Sequence, residues 1–343
     1  MKTKKYVYLW TRRKTINENS CVVFFMKRKI CTIILVLLLS TVLVAVLYFI
    51  SDSGAPKYTP ATRQPQTSQQ HKQSVCPVLS HPWLELPGDW KSDAEHCVTH
   101  YARMQGRQQR NYTILYDEDS YTSYWVAYPL CAAHTTTGRE EIWGYDPQLP
   151  QDGQTSVKKG YGANIPTRNY PKNFYARGHQ IPNADRNAVP QMQEQTYYST
   201  NMTPQIQNGF NGGIWSKLEE AVRNTIPADD TLYIVTGASF AKAGEDAAPV
   251  TIVNKNDGKV LPVPNYYWKV ILKVRRDAGN VTDAMSVGFW LPHEDLKGHE
   301  YSDYAVSVDQ IEMWTGFDFF VNLQDGLELQ AESNGEWEMF RSF

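Results

Sequence analysis

The sequence predicts an α+β fold built around a largely antiparallel sheet. Aromatic and β-branched runs of strand length recur between residues 113 and 291, and helical spacing of apolar residues appears only between or after them. No period of 20–50 residues repeats, which excludes solenoids and propellers. The 343 residues, 42% apolar with ten Trp and twenty-one Tyr, supply a core for one large domain or two ordinary ones. A disulfide-stapled mini-protein and a wholly disordered chain are excluded.

The first element is a basic stretch, residues 1–29, followed by residues 30–50 without a single charge. Twenty-one residues in a helix, at roughly 1.5 Å each, cross a bilayer core. Lys27, Arg28 and Lys29 stand directly before this run, so the positive-inside rule keeps residues 1–29 in the cytoplasm. The run reads as a transmembrane signal anchor or as a signal peptide, with the SDSGA stretch offering the small residues a cleavage site needs. In both cases the chain from about residue 51 is exported, tethered to the membrane or released. Residues 51–75 are rich in Pro, Gln, Ser and Thr and are expected to be a disordered linker, leaving residues 76–343 as the folded domain. Of 34 basic and 36 acidic side chains, nine and one lie in residues 1–50, so the remainder carries 25 basic and 35 acidic groups. Overall charge therefore gives no support to nucleic-acid binding.

Within the domain, residues 113–117 (TILYD), 124–130 (YWVAYPL), 232–240, 266–274 and 284–291 read as strands. Residues 211–225 read as a helix, with Ile214, Leu218, Ala221 and Val222 on one face and Asn211 as N-cap. A second helix is expected from Ser307, where Ser307 to Gln310 forms a capping pattern ahead of Ile311 and Trp314 and Gly316 closes it. An exported domain permits disulfides, and Cys76, Cys97 and Cys131 imply one bridge and one free thiol, with Cys76–Cys97 the expected pair.

The chemistry concentrates between residues 157 and 223. Between residues 157 and 190, Lys158, Lys159, Arg168, Lys172, Arg177 and Arg186 stand against one acid, Asp185, so an acidic chain places a positive patch around His179. Phosphodiester hydrolysis needs a base for water, positive charge on the phosphoryl oxygens and stabilisation of the departing oxygen. His179 can be the base, because a neutral imidazole is available near pH 7. Arg177, two residues earlier, shares its face if this piece is a strand, and a guanidinium suits phosphate oxygens. Asn211 offers a neutral oxygen to a hard cation such as Mg²⁺, which keeps most of its waters.

The RGHxxP around His179, the TNMTPQ stretch and the N-x-x-x-W-x-x-L-E pattern of Asn211, Trp215, Leu218 and Glu219 resemble the DNA/RNA non-specific endonucleases. These are the ββα-metal, or His-Me finger, nucleases that include secreted bacterial enzymes and mitochondrial endonuclease G. WVAYPL, WGYDP, YIVTG, VPNYYWKV and SVDQIEMWTGFDFF extend the likeness over most of residues 110–325. The resemblance implies a ββα-metal motif on the sheet, His179 as general base, one Mg²⁺ (or Mn²⁺) held by Asn211 and waters, and Arg177 and Arg139 at the phosphate. It further implies Asn201 and Arg186 in supporting or substrate contacts, DNA and RNA as substrates, and products with 5′-phosphates. Glu219, eight residues beyond Asn211 on one helix, would lie roughly 12 Å along its axis and about 80° around it. It is therefore expected to hold a metal-bound water or to orient Arg139 or Arg177, not to share the inner metal shell.

Three departures from the family pattern stand out. Ala176 occupies the position that is usually Asp, which removes an acidic neighbour but neither the base nor the metal ligand. The Asn201 to Asn211 spacing is one residue longer, with the N-x-x-x-W register marking Asn211. The spacing from Arg139 to Trp143 is irregular as well. Ala176 and the acidic remainder motivate a competing class, a non-catalytic nucleic-acid or surface-binding module on a decayed nuclease scaffold. A third, a small-molecule phosphodiesterase, ranks last. His96, Cys97 and His100 would suit zinc only with a fourth ligand that the sequence lacks nearby. Trp215, Trp268, Trp290 and Trp314 are expected in the core, and Asn111 and Asn280 match glycosylation acceptors.

Overall fold

Strands rich in large apolar residues pair side by side wherever both faces of a sheet can be covered, and seven strands of the described residues do so in one sheet. The computed structural model describes residues 83–88, 95–228 and 230–343, all in one compact unit that spans Lys72–Phe343. The basic N-terminus, the hydrophobic segment 30–50, the linker 51–75 and Cys76 lie outside the described residues. Among the described residues no helix is long and apolar enough to cross a membrane.

The strands are β1 (Glu95–Met104), β2 (Arg107–Asp117), β3 (Thr122–Leu130), β4 (Tyr175–His179), β5 (Met202–Ile206), β6 (Leu232–Ser239), β7 (Thr251–Val253), β8 (Val260–Pro262), β9 (Tyr266–Asp277), β10 (Asn280–Pro292) and β11 (Ala305–Val306). The order β1-β2-β3-β6-β9-β10-β11 forms one sheet, antiparallel throughout, while β4-β5 and β7-β8 are separate two-stranded pairs. This is the α+β architecture the sequence predicts. The helices are α1 (Pro190–Gln195), α2 (Ser216–Arg223), α3 (Val308–Thr315), α4 (Asp325–Glu332) and α5 (Trp337–Ser342).

The strand residues alternate between two cores. Val126, Ile234 and Ile271 face one with Phe210, Trp215 and Leu218, while Trp125, Val235, Val270 and Leu272 face the other with Val308, Ile311 and Ala331. Burial on both faces explains why these segments read as nearly continuous apolar runs. Trp215, Trp268 and Trp290 are buried, as expected. At Gly237, paired with Trp125 on one side and Trp268 on the other, a Cβ would overlap the Trp268 ring and the Tyr124 carbonyl.

Strand β1 escapes the sequence reading because it is an edge strand of mixed polarity. It turns into β2 through Gln105 and Gly106, both at positive φ, the pattern of a two-residue hairpin turn. His96 and His100 therefore lie on a strand with separate acidic partners, Glu118 at 3.0 Å and buried Asp146 at 2.8 Å, and no shared metal site. Cys97 is disulfide-bonded, and Cys131 is free, among the described residues. Asn111 is fully buried, its amide donating to Met192 O and Gln195 Oε1, so it is not a glycosylation acceptor. The second expected helix is present as α3: Ser307 Oγ accepts from the Gln310 N–H at 3.2 Å, and Gly316 closes it at φ 76°.

The first expected helix is corrected. Regular α-helix begins only at Ser216, and residues Gln207–Trp215 form a wide irregular turn with non-helical backbone at Asn208, Gly209, Gly212 and Gly213. Three glycines around Asn211 dissolve the helical spacing, so Asn211 lies in the turn and is not the N-cap. Gly237→Ala should destabilise the domain by about 1–3 kcal/mol through overpacking against Trp268, as read from denaturant unfolding.

Candidate active site

Strand β4 ends on His179, β5 returns beside it, and the wide turn leads into α2, so the three elements form a ββα unit. Arg177 pairs across with Pro204, Gly178 with Thr203 and His179 with Met202. Gly178 carries no side chain because the Gln205 side chain occupies the space a Cβ would need. Beyond His179 the chain is fixed by Asn201, whose Oδ1 accepts from the Ile181 N–H at 2.9 Å and whose amide donates to Ile181 O at 3.0 Å and Thr196 O at 2.8 Å. Asn201 thus braces the backbone that follows His179.

The His179 ring is half-buried between Tyr197, edge-on at 5.3 Å, and Trp143 at 5.6 Å. Its Nε2 is shielded from solvent and has no hydrogen-bond partner. Burial, with the positive charges of Arg139 and Arg177, pushes the imidazole pKa down to about 3, against a weaker opposing contact with the Arg177 backbone. The ring is therefore neutral near pH 7 and its unpaired nitrogen can accept a proton. Arg177 lies flat on Trp143, its Cζ 3.5 Å from the ring centre, and donates through Nη1 to Val157 O and Lys158 O at 2.9 and 3.2 Å. Arg139 is exposed, paired with Glu141 at 3.2 Å and 5.9 Å from the Tyr197 ring centre. The structure thus brings Arg139, Arg177 and His179 together.

Asn211 is half-buried, and its amide nitrogen donates to Gln207 Oε1 at 3.0 Å. That bond orients the side chain and leaves its carbonyl oxygen, a hard donor of the kind Mg²⁺ accepts. Next to the turn, His293 ties β5 to the sheet: its Nε2 accepts from the Ile206 N–H at 2.8 Å, and its Nδ1 faces Pro264 O at 2.8 Å. The sequence reading missed His293 because its partners are backbone atoms distant in sequence.

One expectation narrows and one changes. Arg186 is completely buried and bonds to Asn111 O at 3.0 Å, Pro129 O at 2.7 Å and Asp185 O at 2.7 Å, so it supports the frame and does not touch substrate. Glu219 does not orient Arg139 or Arg177. The charges acting on it are Lys269, Arg223 and Asp185, and burial pushes its carboxyl up while Lys269 opposes the shift. Lys269 is buried from β9, its ammonium pKa lowered by burial and held up by Glu219. Asp185 accepts from Arg223 Nη1 at 2.9 Å and from Tyr128 OH at 3.0 Å. Arg223, four residues beyond Glu219, had a visible helical spacing, but nothing in the sequence points to Lys269 or Asp185 as partners.

Comparison with known proteins gives the family and the fold. A family model described as DNA/RNA non-specific endonuclease matches residues 94–326. A nuclease of Nostoc sp. is 27% identical over 230 residues, 66% of this chain and 76% of that protein. A nuclease of Serratia marcescens is 28% identical over 226 residues, 65% of this chain and 77% of that protein. The fold is also similar to that in the crystal structure of the EndoG/EndoGI complex, with a TM-score of 0.50 at 20% identity, over 67% of this chain and 89% of that one.

In the free protein, the His179 ring should stay neutral from pH 8 down to pH 5, because its folded pKa lies below the ordinary 6.5. An NMR titration of the imidazole resonances checks this; a midpoint near 6.5 would contradict the burial. Arg223→Met should strip Asp185 of its partner and lower unfolding stability by up to about 3 kcal/mol.

Proposed function

The chain belongs to the DNA/RNA non-specific endonuclease family, and from that premise we propose that it is an exported enzyme cleaving DNA and RNA with a single divalent ion. The observation that carries the catalytic reading is the His179 Nε2: buried, unpaired, neutral and next to two guanidinium groups. A water placed against it would lose its proton to Nε2 as its oxygen attacks phosphorus. The bond to the 3′ oxygen breaks, that oxygen takes a proton from solvent, and the phosphate stays on the 5′ side. Arg177 and Arg139 offer positive charge to the non-bridging oxygens, and the Trp143 face under Arg177 fixes its plane.

The carbonyl oxygen of Asn211 would hold the ion, Mg²⁺ by ligand hardness with Mn²⁺ also suited to it. When bound, such an ion supplies charge stabilisation for the phosphoryl and departing oxygens. Glu219, in the favourable field of Lys269 and Arg223, is assigned as a positioning residue for α2 and the turn that carries Asn211. Sequence preference should be low, because these groups address the backbone and not base edges.

Export rests on residues 30–50 and the basic residues before them. It places the domain outside the cytoplasm, anchored by that segment or released after cleavage, and the disulfide at Cys97 fits an oxidising compartment.

Purified full-length protein should degrade plasmid DNA and RNA with Mg²⁺, and EDTA should stop it. His179→Ala should lower turnover by about 10²–10⁴-fold, the range for a general base, while retaining DNA binding in a mobility-shift assay. Intact substrates with a folded wild-type protein and Mg²⁺ would favour the binding-module reading prompted by Ala176.

A further inference from the structure

A second group of oxygen ligands lies on the other face of the sheet, away from β4 and β5. Asp309 and Glu312 are three residues apart on α3 and share a face, and Glu332 ends α4 beside them. One carboxylate oxygen from each lies within 4.8 Å of the other two. Both helices are fixed where they stand. Val308, Ile311 and Ala331 are buried in the same core, and Ser286 of β10 donates to Ala331 O at 2.8 Å, one residue before Glu332. Glu312 is held in turn by the Phe319 N–H, 2.7 Å from its Oε1.

Acidic groups near each other on a surface are common and mean little. Here Glu332 is only 6% exposed, and its Oε1 is buried with no hydrogen-bond partner. A buried carboxylate oxygen normally accepts at least one hydrogen bond, because leaving it unpaired costs several kcal/mol. The charged groups that act most strongly on Glu332 are all acidic: Glu312, Glu328, Asp309 and Asp318. A buried carboxylate with an unpaired oxygen, set beside a cluster of like charge, is the arrangement a cation completes.

We propose that Asp309, Glu312 and Glu332 form a Ca²⁺ site that joins α3 to α4, separate from the site at Asn211. Three carboxylates are an all-oxygen donor set for a hard divalent ion, and Asp309 and Glu312 are half-buried, which leaves room for waters and a path of entry. Coordination chemistry favours calcium, because Ca²⁺ accepts several carboxylates in flexible geometry whereas Mg²⁺ demands near-ideal octahedral geometry and keeps most of its waters. Without a cation, Glu332 is pushed up to about 9 by burial and its acidic neighbours, so it would hold a proton at neutral pH and binding would release it.

The test uses the full chain in the Asn211→Ala background, which removes the ion ligand expected at the active site. Calcium chloride alone is titrated, by calorimetry and by thermal unfolding against EDTA. The expected result is one Ca²⁺ per chain, with a Kd on the order of 10⁻⁴ M and a Tm raised by about 3 °C or more at saturation. Glu332→Gln should abolish both effects. Asp309→Asn, at a half-buried position that does not threaten folding, should weaken binding about tenfold or more. Absence of saturable Ca²⁺ binding in the Asn211→Ala protein would overturn the proposal, as would undiminished binding in either carboxylate variant.

Discussion

A charged helix on an apolar sheet sets the terms for the rest of this molecule. Helix α2 turns Leu218 and Val222 into the core, yet the same surface carries Glu219 and faces Lys269, which is 1% exposed on β9. An isolated charge at that depth costs several kcal/mol, so neither group is tolerable alone. The positive charge of Lys269 opposes the burial of Glu219, and beside them Arg223 pairs with Asp185 at 2.9 Å while Tyr128 donates to the same carboxylate. The seat of α2, and with it the turn bearing Asn211, rests on Leu218 and Val222 in the core and on that Arg223–Asp185 pair.

From this frame the reacting groups gain their properties by position. His179 stands at the end of a short strand whose continuation is locked by the three hydrogen bonds of Asn201. Its ring is walled by Trp143 and Tyr197 and flanked by two arginines, so charge and burial act together to keep it unprotonated. The wall itself is ordered by the Arg177 stack on Trp143. The ring is held in place while its Nε2 is left unpaired, the condition for the proton acceptor proposed above.

The two faces of the sheet have been put to different uses. One carries the ββα unit and its basic surroundings; the other packs α3 and α4 and gathers carboxylates at their junction. Because each strand is covered on both sides, its inward and outward residues are equally apolar. The two faces were therefore indistinguishable in the hydrophobic pattern.

The sequence by itself determined the fold class, five of the strands and the capped helix at Ser307, and RGH and N-x-x-x-W-x-x-L-E keep the candidate site residues at fixed local spacing. Local spacing also suggested a helix through Asn211, where Gly209, Gly212 and Gly213 instead open the backbone into a turn. What tertiary structure alone decided is which charge meets which. Arg186 looked like part of a basic patch and is fully buried under backbone carbonyls; Glu219 looked destined for Arg139 or Arg177 and faces Lys269, fifty residues downstream. Strand pairing brings such residues together across long loops, and charge carries no periodicity that would reveal a distant partner. The same holds for Glu332, whose burial beside Asp309 and Glu312 follows from two helices sharing one strand, a fact of packing and not of pattern.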